Sequence, residues 1–373
     1  FVADSHVVLP IANHKLTLGA EYKEAKIADD IAGFGSTFKK DSFSVYAEDE
    51  WRILDNLGFT LGGRYEDHSG FGGQFSPRAY LVWNTTDQLT FKGGVSTGYK
   101  APSAKQLHDG VISVSGQGTS FGIGSPDLEP EESTNYELGF NYNNGNLDLT
   151  TTAFFNKIEN LITEGPDLLN CYSATNPNRP GCVSYGSHIT QDTFTQNINA
   201  NEAETKGVEL SLKYTIIPEW DIKAAYTFTE SEITKGANKG YALESTAKHL
   251  FNLTSTWHIN NSLDVWLQHE YQSGRPRYLA APTGGEVSIE QHTDNKFSAY
   301  NLFNLGTSYQ LNNNVRVNAA VNNLLDKDFT EYMDYVDTNG NVQQAYKYLS
   351  IGRSSEGTYL SGRNYWLSIS YDF

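Results

Sequence analysis

Cysteine and methionine are nearly absent: the 373-residue chain holds two of the first and one of the second. Nothing with metal-ligand spacing accompanies Cys171 and Cys182. They enclose Tyr-Ser-Ala-Thr-Asn-Pro-Asn-Arg-Pro-Gly, and a disulfide across a loop tip is favoured over two free thiols. Such a bond implies an oxidising compartment, periplasm or cell surface. Long apolar runs are also missing. No stretch approaches the ~20 apolar residues of a transmembrane helix, which excludes a helical membrane protein. Sustained 3.6-residue periodicity, usual in a soluble enzyme of this size, is missing as well. Basic residues are outnumbered, 27 Lys and Arg against 44 Asp and Glu, and the net charge is −17. That balance argues against nucleic acid as a partner. Catalytic signatures are lacking: no nucleophile elbow, no phosphate-cradling glycine motif, no paired carboxylates in a supporting context. The 9 histidines show no i, i+4 metal spacing, and His108, His188 and His292 read as polar loop residues. Neither an enzyme nor a bound metal or cofactor is expected.

What the chain does contain is aromatic and glycine-rich: 23 Tyr, 19 Phe, 6 Trp and 33 Gly. Such usage favours strands. Only 38% of residues are hydrophobic and mean hydropathy is −0.49, yet a transmembrane barrel hides its lipid face in alternation. Counting back from Phe373 in steps of two gives Tyr371, Ile369, Leu367 and Tyr365, with Asp372, Ser370 and Ser368 between them. Aromatics at the ends, aliphatics between and small polar residues opposite suit a strand with lipid on one side and water on the other. A strand of a soluble sandwich alternates the same way, so the rest of the chain has to decide. The pattern recurs. Trp220, Ile222, Ala224, Tyr226 and Phe228 alternate with Asp221, Lys223, Thr227 and Thr229. Val315, Val317, Ala319 and Val321 face away from Arg316, Asn318 and Asn322. Leu89, Phe91, Val95 and Tyr99 alternate with Thr90, Lys92, Ser96 and Lys100, which puts Tyr99 toward lipid and Lys100 toward the lumen.

Connections alternate in length. Tight, Asn/Asp/Gly/Pro-bearing turns are predicted at 12–14, 55–56, 84–88, 143–146, 218–219, 260–261 and 312–314. Longer loops are predicted near 68–74, 101–133, 163–195, 233–247, 273–296 and 329–362. Strict short–long alternation marks an all-β, antiparallel up-and-down transmembrane β-barrel with periplasmic turns and extracellular loops. A propeller or sandwich does not produce it so regularly. The reading gives about fifteen strands, with the first and last both running inward. An even-stranded barrel needs opposite directions, so residues 1–373 are expected to be the C-terminal portion of a larger barrel.

Several segments in order resemble a known family. Phe75-Ser-Pro-Arg-Ala-Tyr-Leu-Val-Trp83 is followed by Gly94-Val-Ser-Thr-Gly-Tyr-Lys-Ala-Pro-Ser103 and Gln106-Leu107. Ser125-Pro-Asp-Leu-Glu-Pro-Glu-Glu-Ser-Thr-Asn-Tyr-Glu-Leu-Gly139 and Glu204-Thr-Lys-Gly-Val-Glu-Leu210 come next. Val321-Asn-Asn-Leu-Leu-Asp-Lys-Asp-Phe-Thr-Glu-Tyr332, Gly362-Arg-Asn-Tyr-Trp366 and Phe373 complete the set. Together they resemble the barrel of TonB-dependent outer-membrane receptors, and the cysteine-bearing loop resembles the branch that takes up ferric catecholate siderophores, the enterobactin type. The resemblance implies a barrel of about 22 strands with a lumen plug, so the plug and about seven strands are expected to lie outside this sequence. It also implies a bacterial outer-membrane location and TonB energy delivered through the plug.

A ferric catecholate is an anion with aromatic surfaces, which calls for cations and aromatic or hydrogen-bonding side chains in an extracellular vestibule. The candidates are Arg275, Arg277 and Tyr278 at the start of one long loop, with Tyr346, Tyr348 and Arg353 in the last large loop. Arg179 between the cysteines and Lys100 complete them. Lipopolysaccharide phosphates or neighbouring acids are the alternative partners of Arg275 and Arg277. Expected partners of the whole are ferric siderophore, TonB, outer-membrane lipid and lipopolysaccharide, with phage or bacteriocin as opportunists. The barrel assembly machinery is expected to read the terminal Tyr365, Leu367, Ile369, Tyr371 and Phe373. Competing functions are a passive or substrate-specific porin, and a receptor for a hydroxamate siderophore, haem or cobalamin.

Overall fold

The computed structural model describes residues 1–29, 36–282, 284–348 and 361–372. Six strands pair one after another from the start: β1 (Val2–Ile11), β2 (His14–Asp29), β3 (Ser36–Leu54), β4 (Leu57–His68), β5 (Gly72–Asn84) and β6 (Leu89–Lys100). A loop hairpin, β7 (Val111–Ser115) and β8 (Ser120–Ile123), stands between β6 and its neighbour β9 (Glu131–Asn143). The two-residue β11 (Leu168–Leu169) likewise interrupts the chain between β10 (Leu147–Glu164) and β12 (Thr193–Ile217), which pair directly. The wall continues through β13 (Trp220–Lys235), β14 (His249–Asn260) and β15 (Leu263–Gln272). A loop carrying helix α1 (Glu286–Thr293) leads to β16 (Tyr300–Asn312) and β17 (Val315–Asn322). The separate hairpin of β18 (Tyr332–Val336) and β19 (Val342–Tyr346) precedes the final β20 (Asn364–Tyr371).

Of the eighteen strands in the main sheet, β7, β8 and β11 are short loop strands. The remaining fifteen form the wall, as the alternation predicts, every neighbour antiparallel. Among the described residues β1 pairs only with β2 and β20 only with β17, so the barrel wall is partial and open. All seven tight turns fall where expected. Asparagine makes several of them by accepting backbone N–H groups two and three residues on: Asn144 from Asn146 and Leu147, Asn312 from Asn314 and Val315.

Register carries the apolar alternation from strand to strand. Tyr371, Ile369, Leu367 and Tyr365 stand opposite Val315, Val317, Ala319 and Val321. All four terminal-strand residues are exposed, Ile369 by 68%, on the outer face, whereas Phe373 lies outside the described residues. Trp51, Trp83, Trp220 and Trp257 line the turn end of that face, and Trp220 and Trp257 stack at 6.3 Å. Phe43, Tyr65, Phe75 and Tyr136 line the other end, all exposed. Trp51 and Phe43 are about 26 Å apart along β3, or ~20 Å along an axis tilted by about 40°. Two aromatic girdles at that separation, with Leu61, Leu81 and Leu138 between them, make a lipid-facing band.

The opposite face is polar and cross-linked. Arg64 bridges Glu21 at 2.6 Å and Glu66 at 2.9 Å, and Arg78 pairs with Glu48 at 2.7 Å. Gly19 leaves room for the ring of Tyr46, which lies across it beneath Arg64: a Cβ there would sit 2.2 Å from the ring and displace it. Tyr99 departs from its expected place in the outer girdle. β5 pairs with β6 only as far as Ser96. Beyond it the Tyr99 phenol donates to the lumen-side Glu66 while the ring contacts Phe71 at 6.0 Å. β9 still pairs with β6 through Lys100, so the backbone keeps its alternation; what ends at Ser96 is the β5 neighbour, and the Tyr99 side chain turns to the side that β5 leaves open.

Candidate ligand-binding site

Above the outer girdle the long loops fold into two packed clusters. The first joins the β6–β9 and β10–β12 connections. β8 runs parallel to the start of β12, pairing Gly122 with Thr195 and Ile123 with Gln196. Val111, Ile123, Ile189 and Phe194 form a core, with Phe194 and Ile123 at 0% and 1% exposure, and Leu168, Val183 and Tyr185 pack against it. The Cys171–Cys182 disulfide closes the same unit, Cα atoms 5.0 Å apart. Asn170 is its polar centre: fully buried, it donates to the carbonyls of Ile189 and Gln191 and accepts from the Tyr172 N–H. Arg179 donates to the Asp192 carbonyl at 2.7 Å, so it braces its own loop. Asp192 is held below the usual carboxylate range by the Ser173 and Thr175 hydroxyls.

The second cluster gathers the β13–β14, β15–β16 and β17–β20 connections. Residues 275–278 run beside 295–297, the Phe297 N–H donating to Arg275 and the Arg277 N–H to Asn295. Tyr278 exchanges two backbone hydrogen bonds with the Asn295 amide. Tyr241 donates to Glu290 of α1 at 2.7 Å, and Ser298 to the Lys347 carbonyl at 2.9 Å. The buried Phe297, Phe329 and Tyr348 are its apolar floor, and Tyr300 meets Phe329 edge-on at 5.0 Å.

Cations stand on these rings. The Arg275 and Arg277 guanidiniums lie 5.3 and 4.2 Å from the Phe297 centroid. Lys327 and Lys347 lie 4.4 and 5.4 Å from that of Tyr348. Glu331 answers both lysines, at 3.9 and 2.9 Å. The Lys347 ammonium holds the Glu331 carboxyl below its ordinary range. Glu331 balances the lysines, whereas neither arginine has an acid paired with it among the described residues, a cation–aromatic arrangement suited to a planar or aromatic anion.

Five expected site residues thus meet in one place: Arg275, Arg277, Tyr278, Tyr346 and Tyr348. Their donors are not equally free. Arg277 gives Nε–H to the Lys296 carbonyl at 3.0 Å and Nη2–H to the Tyr346 carbonyl at 2.6 Å, and burial lowers its pKa. Tyr346 packs on Tyr332 at 4.6 Å across the β18–β19 hairpin. Lys100 and Arg179 lie elsewhere. Lys100 pairs with Glu131 at 2.8 Å, whose other oxygen accepts the Ile162 N–H. Arg353 lies outside the described residues. The sequence reading missed Phe297, Tyr300, Lys327 and Phe329. Lys327 and Phe329 sit inside a segment already singled out, so only their geometry was hidden.

That segment also sets the foot of the last loop. Asn323 has φ 51°, and its side chain donates to the Lys327 and Ser361 carbonyls and accepts the Lys327 N–H. Asp326 accepts the Arg363 N–H at 2.9 Å. Together they tie the end of β17 to the start of β20.

Comparisons with known proteins agree with this architecture. Residues 3–324 match the model of the family described as TonB dependent receptor-like, beta-barrel. The chain is 32% identical over 376 residues to the iron-regulated outer membrane virulence protein of Vibrio cholerae, covering all of this chain and 51% of that protein. It is 27% identical to the ferrienterobactin receptor of Escherichia coli, covering 87% of this chain and 45% of that protein. It therefore spans about half the length of the relatives it matches. A mutant ferric enterobactin receptor from Pseudomonas aeruginosa in complex with enterobactin superposes with a TM-score of 0.74 at 23% identity, over all of this chain and 54% of that one. The family match, the fifteen-strand wall and the girdled outer face agree: this chain belongs to the TonB-dependent receptor β-barrel family of the bacterial outer membrane.

Proposed function

We propose that the protein is an outer-membrane receptor that binds a ferric siderophore of the catecholate class at its extracellular loops and imports it. Energy would come from TonB through a plug domain in the lumen. The observation that carries the reading is the cation–aromatic mouth of Arg275, Arg277, Phe297, Lys327 and Tyr348. Aromatic rings hold the positive groups in place, and those whose donors the protein does not use would meet the negative oxygens of a ferric catecholate. Relatives named as ferric enterobactin receptors in Pseudomonas aeruginosa and Escherichia coli favour the same ligand class. A second reading, cobalamin, draws support from a vitamin B12 transporter of Photobacterium profundum at 24% identity. Cobalamin offers this cluster no anion of comparable charge.

Titration of the full-length protein with ferric tris-catecholate, ferric hydroxamate and cobalamin, followed by tryptophan fluorescence, separates these ligands. Saturable quenching by the catecholate complex at the lowest concentration is expected. Preference for either of the other two refutes the catecholate assignment.

A further inference from the structure

The two arginines that share Phe297 divide the work, and this division rests on the receptor reading above. Arg277 is spent on the protein: its Nε and Nη2 hydrogens reach the Lys296 and Tyr346 carbonyls, joining the β15–β16 loop to the β17–β20 loop. Arg275 is built differently. Its Nε and Nη2 are buried from solvent, and neither finds a hydrogen-bond acceptor among the described residues. Its backbone is fixed by the Phe297 N–H at 2.9 Å, and its guanidinium lies 5.3 Å from the Phe297 ring. The Tyr300 hydroxyl, on the neighbouring strand, is already committed to Gln272 at 2.8 Å.

Leaving buried N–H donors of a cation without acceptors is costly, and a ring face offsets only part of that cost. A guanidinium presents its donors in a planar fork that matches two oxygens at once. We infer that Arg275 is the residue that reads the ligand's negative charge, donating to paired catecholate oxygens of the ferric complex, and that Arg277 is a positioning residue that holds the two loops around it. The preference for an anionic over a neutral ferric complex then resides in Arg275.

The test uses full-length protein, ferric tris-catecholate as the probe, and two readouts: affinity by tryptophan quenching, and loop order by limited proteolysis of 273–299 and 323–348. Heat-modifiable electrophoretic mobility reports an intact barrel in every variant. Arg275→Gln is expected to bind about ten- to a hundredfold more weakly with the wild-type cleavage pattern. Arg275→Lys, which keeps the charge and loses the fork, should fall between. Arg277→Gln should be cleaved faster in both segments. Wild-type affinity in Arg275→Gln overturns the assignment. So does an affinity loss accompanied by the cleavage pattern of Arg277→Gln, which would make Arg275 structural. Wild-type protein that ignores ferric tris-catecholate overturns the receptor reading itself, and the assignment with it.

Discussion

Replacing Phe194 with alanine tests whether the disulfide-bearing loops form a folding unit of their own. Phe194 is 0% exposed and meets Tyr185 edge-on at 5.5 Å. Removing a ring buried this fully costs about 3–5 kcal/mol. The unit has few resources to absorb that loss. Its core is four buried side chains, Val111, Ile123, Ile189 and Phe194. Its cross-link spans a sequence separation of 11, a loop for which the chain-entropy model gives about 3 kcal/mol. The lost packing is therefore comparable with the whole free energy of local opening. At 1.4 kcal/mol per tenfold, the open population should rise from roughly a hundredfold to several thousandfold. Hydrogen exchange on the full-length protein reads this directly. The Asn170, Cys171, Ala174 and Val183 amides, bonded within the unit, should lose protection together. The wall amides of β9, β10 and β13 should not change, nor the temperature at which the barrel loses its folded electrophoretic mobility. Unaltered exchange in 168–194, or a barrel melting shift of matching size, would refute the idea of an independent unit.

Replacing both Cys171 and Cys182 with serine should raise exchange in the same amides by a smaller factor, consistent with ~3 kcal/mol; a global loss of barrel stability would contradict it. Leu138→Arg, at a lipid-facing site 67% exposed, should cost about 2–4 kcal/mol in equilibrium folding into lipid vesicles. Asn318→Arg on the lumen face should cost far less, and equal penalties would mean the faces are misassigned. Asn323→Ala should destabilise the foot of the last loop more than Asn323→Gly, since both lose the Lys327 and Ser361 bonds but only alanine resists φ 51°. Protease sensitivity of 323–348 would rank them, and the reverse order would remove the backbone argument.

Wall strands were legible because the bilayer imposes a period of two and the turns need Asn, Asp, Gly or Pro. Trp220 to Phe228 could be read as a strand with its faces assigned, and the partner strands agree. Tyr99 shows where this stops. β6 stays paired with β9 through Lys100, but past Ser96 it has lost β5 as a neighbour, and on that open side a local pattern no longer dictates which surface the side chain meets. The loops were legible only in part. Arg275, Arg277 and Tyr348 could be named from residue type, but nothing local says that Tyr346 offers its carbonyl to Arg277. Phe297 and Tyr300 gave no sign of their role, since an aromatic near a strand end usually belongs to a girdle.

The sequence alone determined the fold class, the strand count, the lipid-facing and lumen-facing residues and the likeness to a receptor family. The first three follow from periodicity and turn chemistry, which act between near neighbours in the chain, with Tyr99 the exception among the faces; the likeness rests on ordered segments such as 94–103 and 321–332. Tertiary structure alone decided that the loops form two packed clusters, one around Phe194 and one around Phe297. It also decided that Arg277 spends its donors on two carbonyls, while Nε and Nη2 of Arg275 are buried without an acceptor among the described residues. Those outcomes depend on contacts between segments about 70 residues apart, such as Arg277 with Tyr346, whose geometry no local pattern encodes.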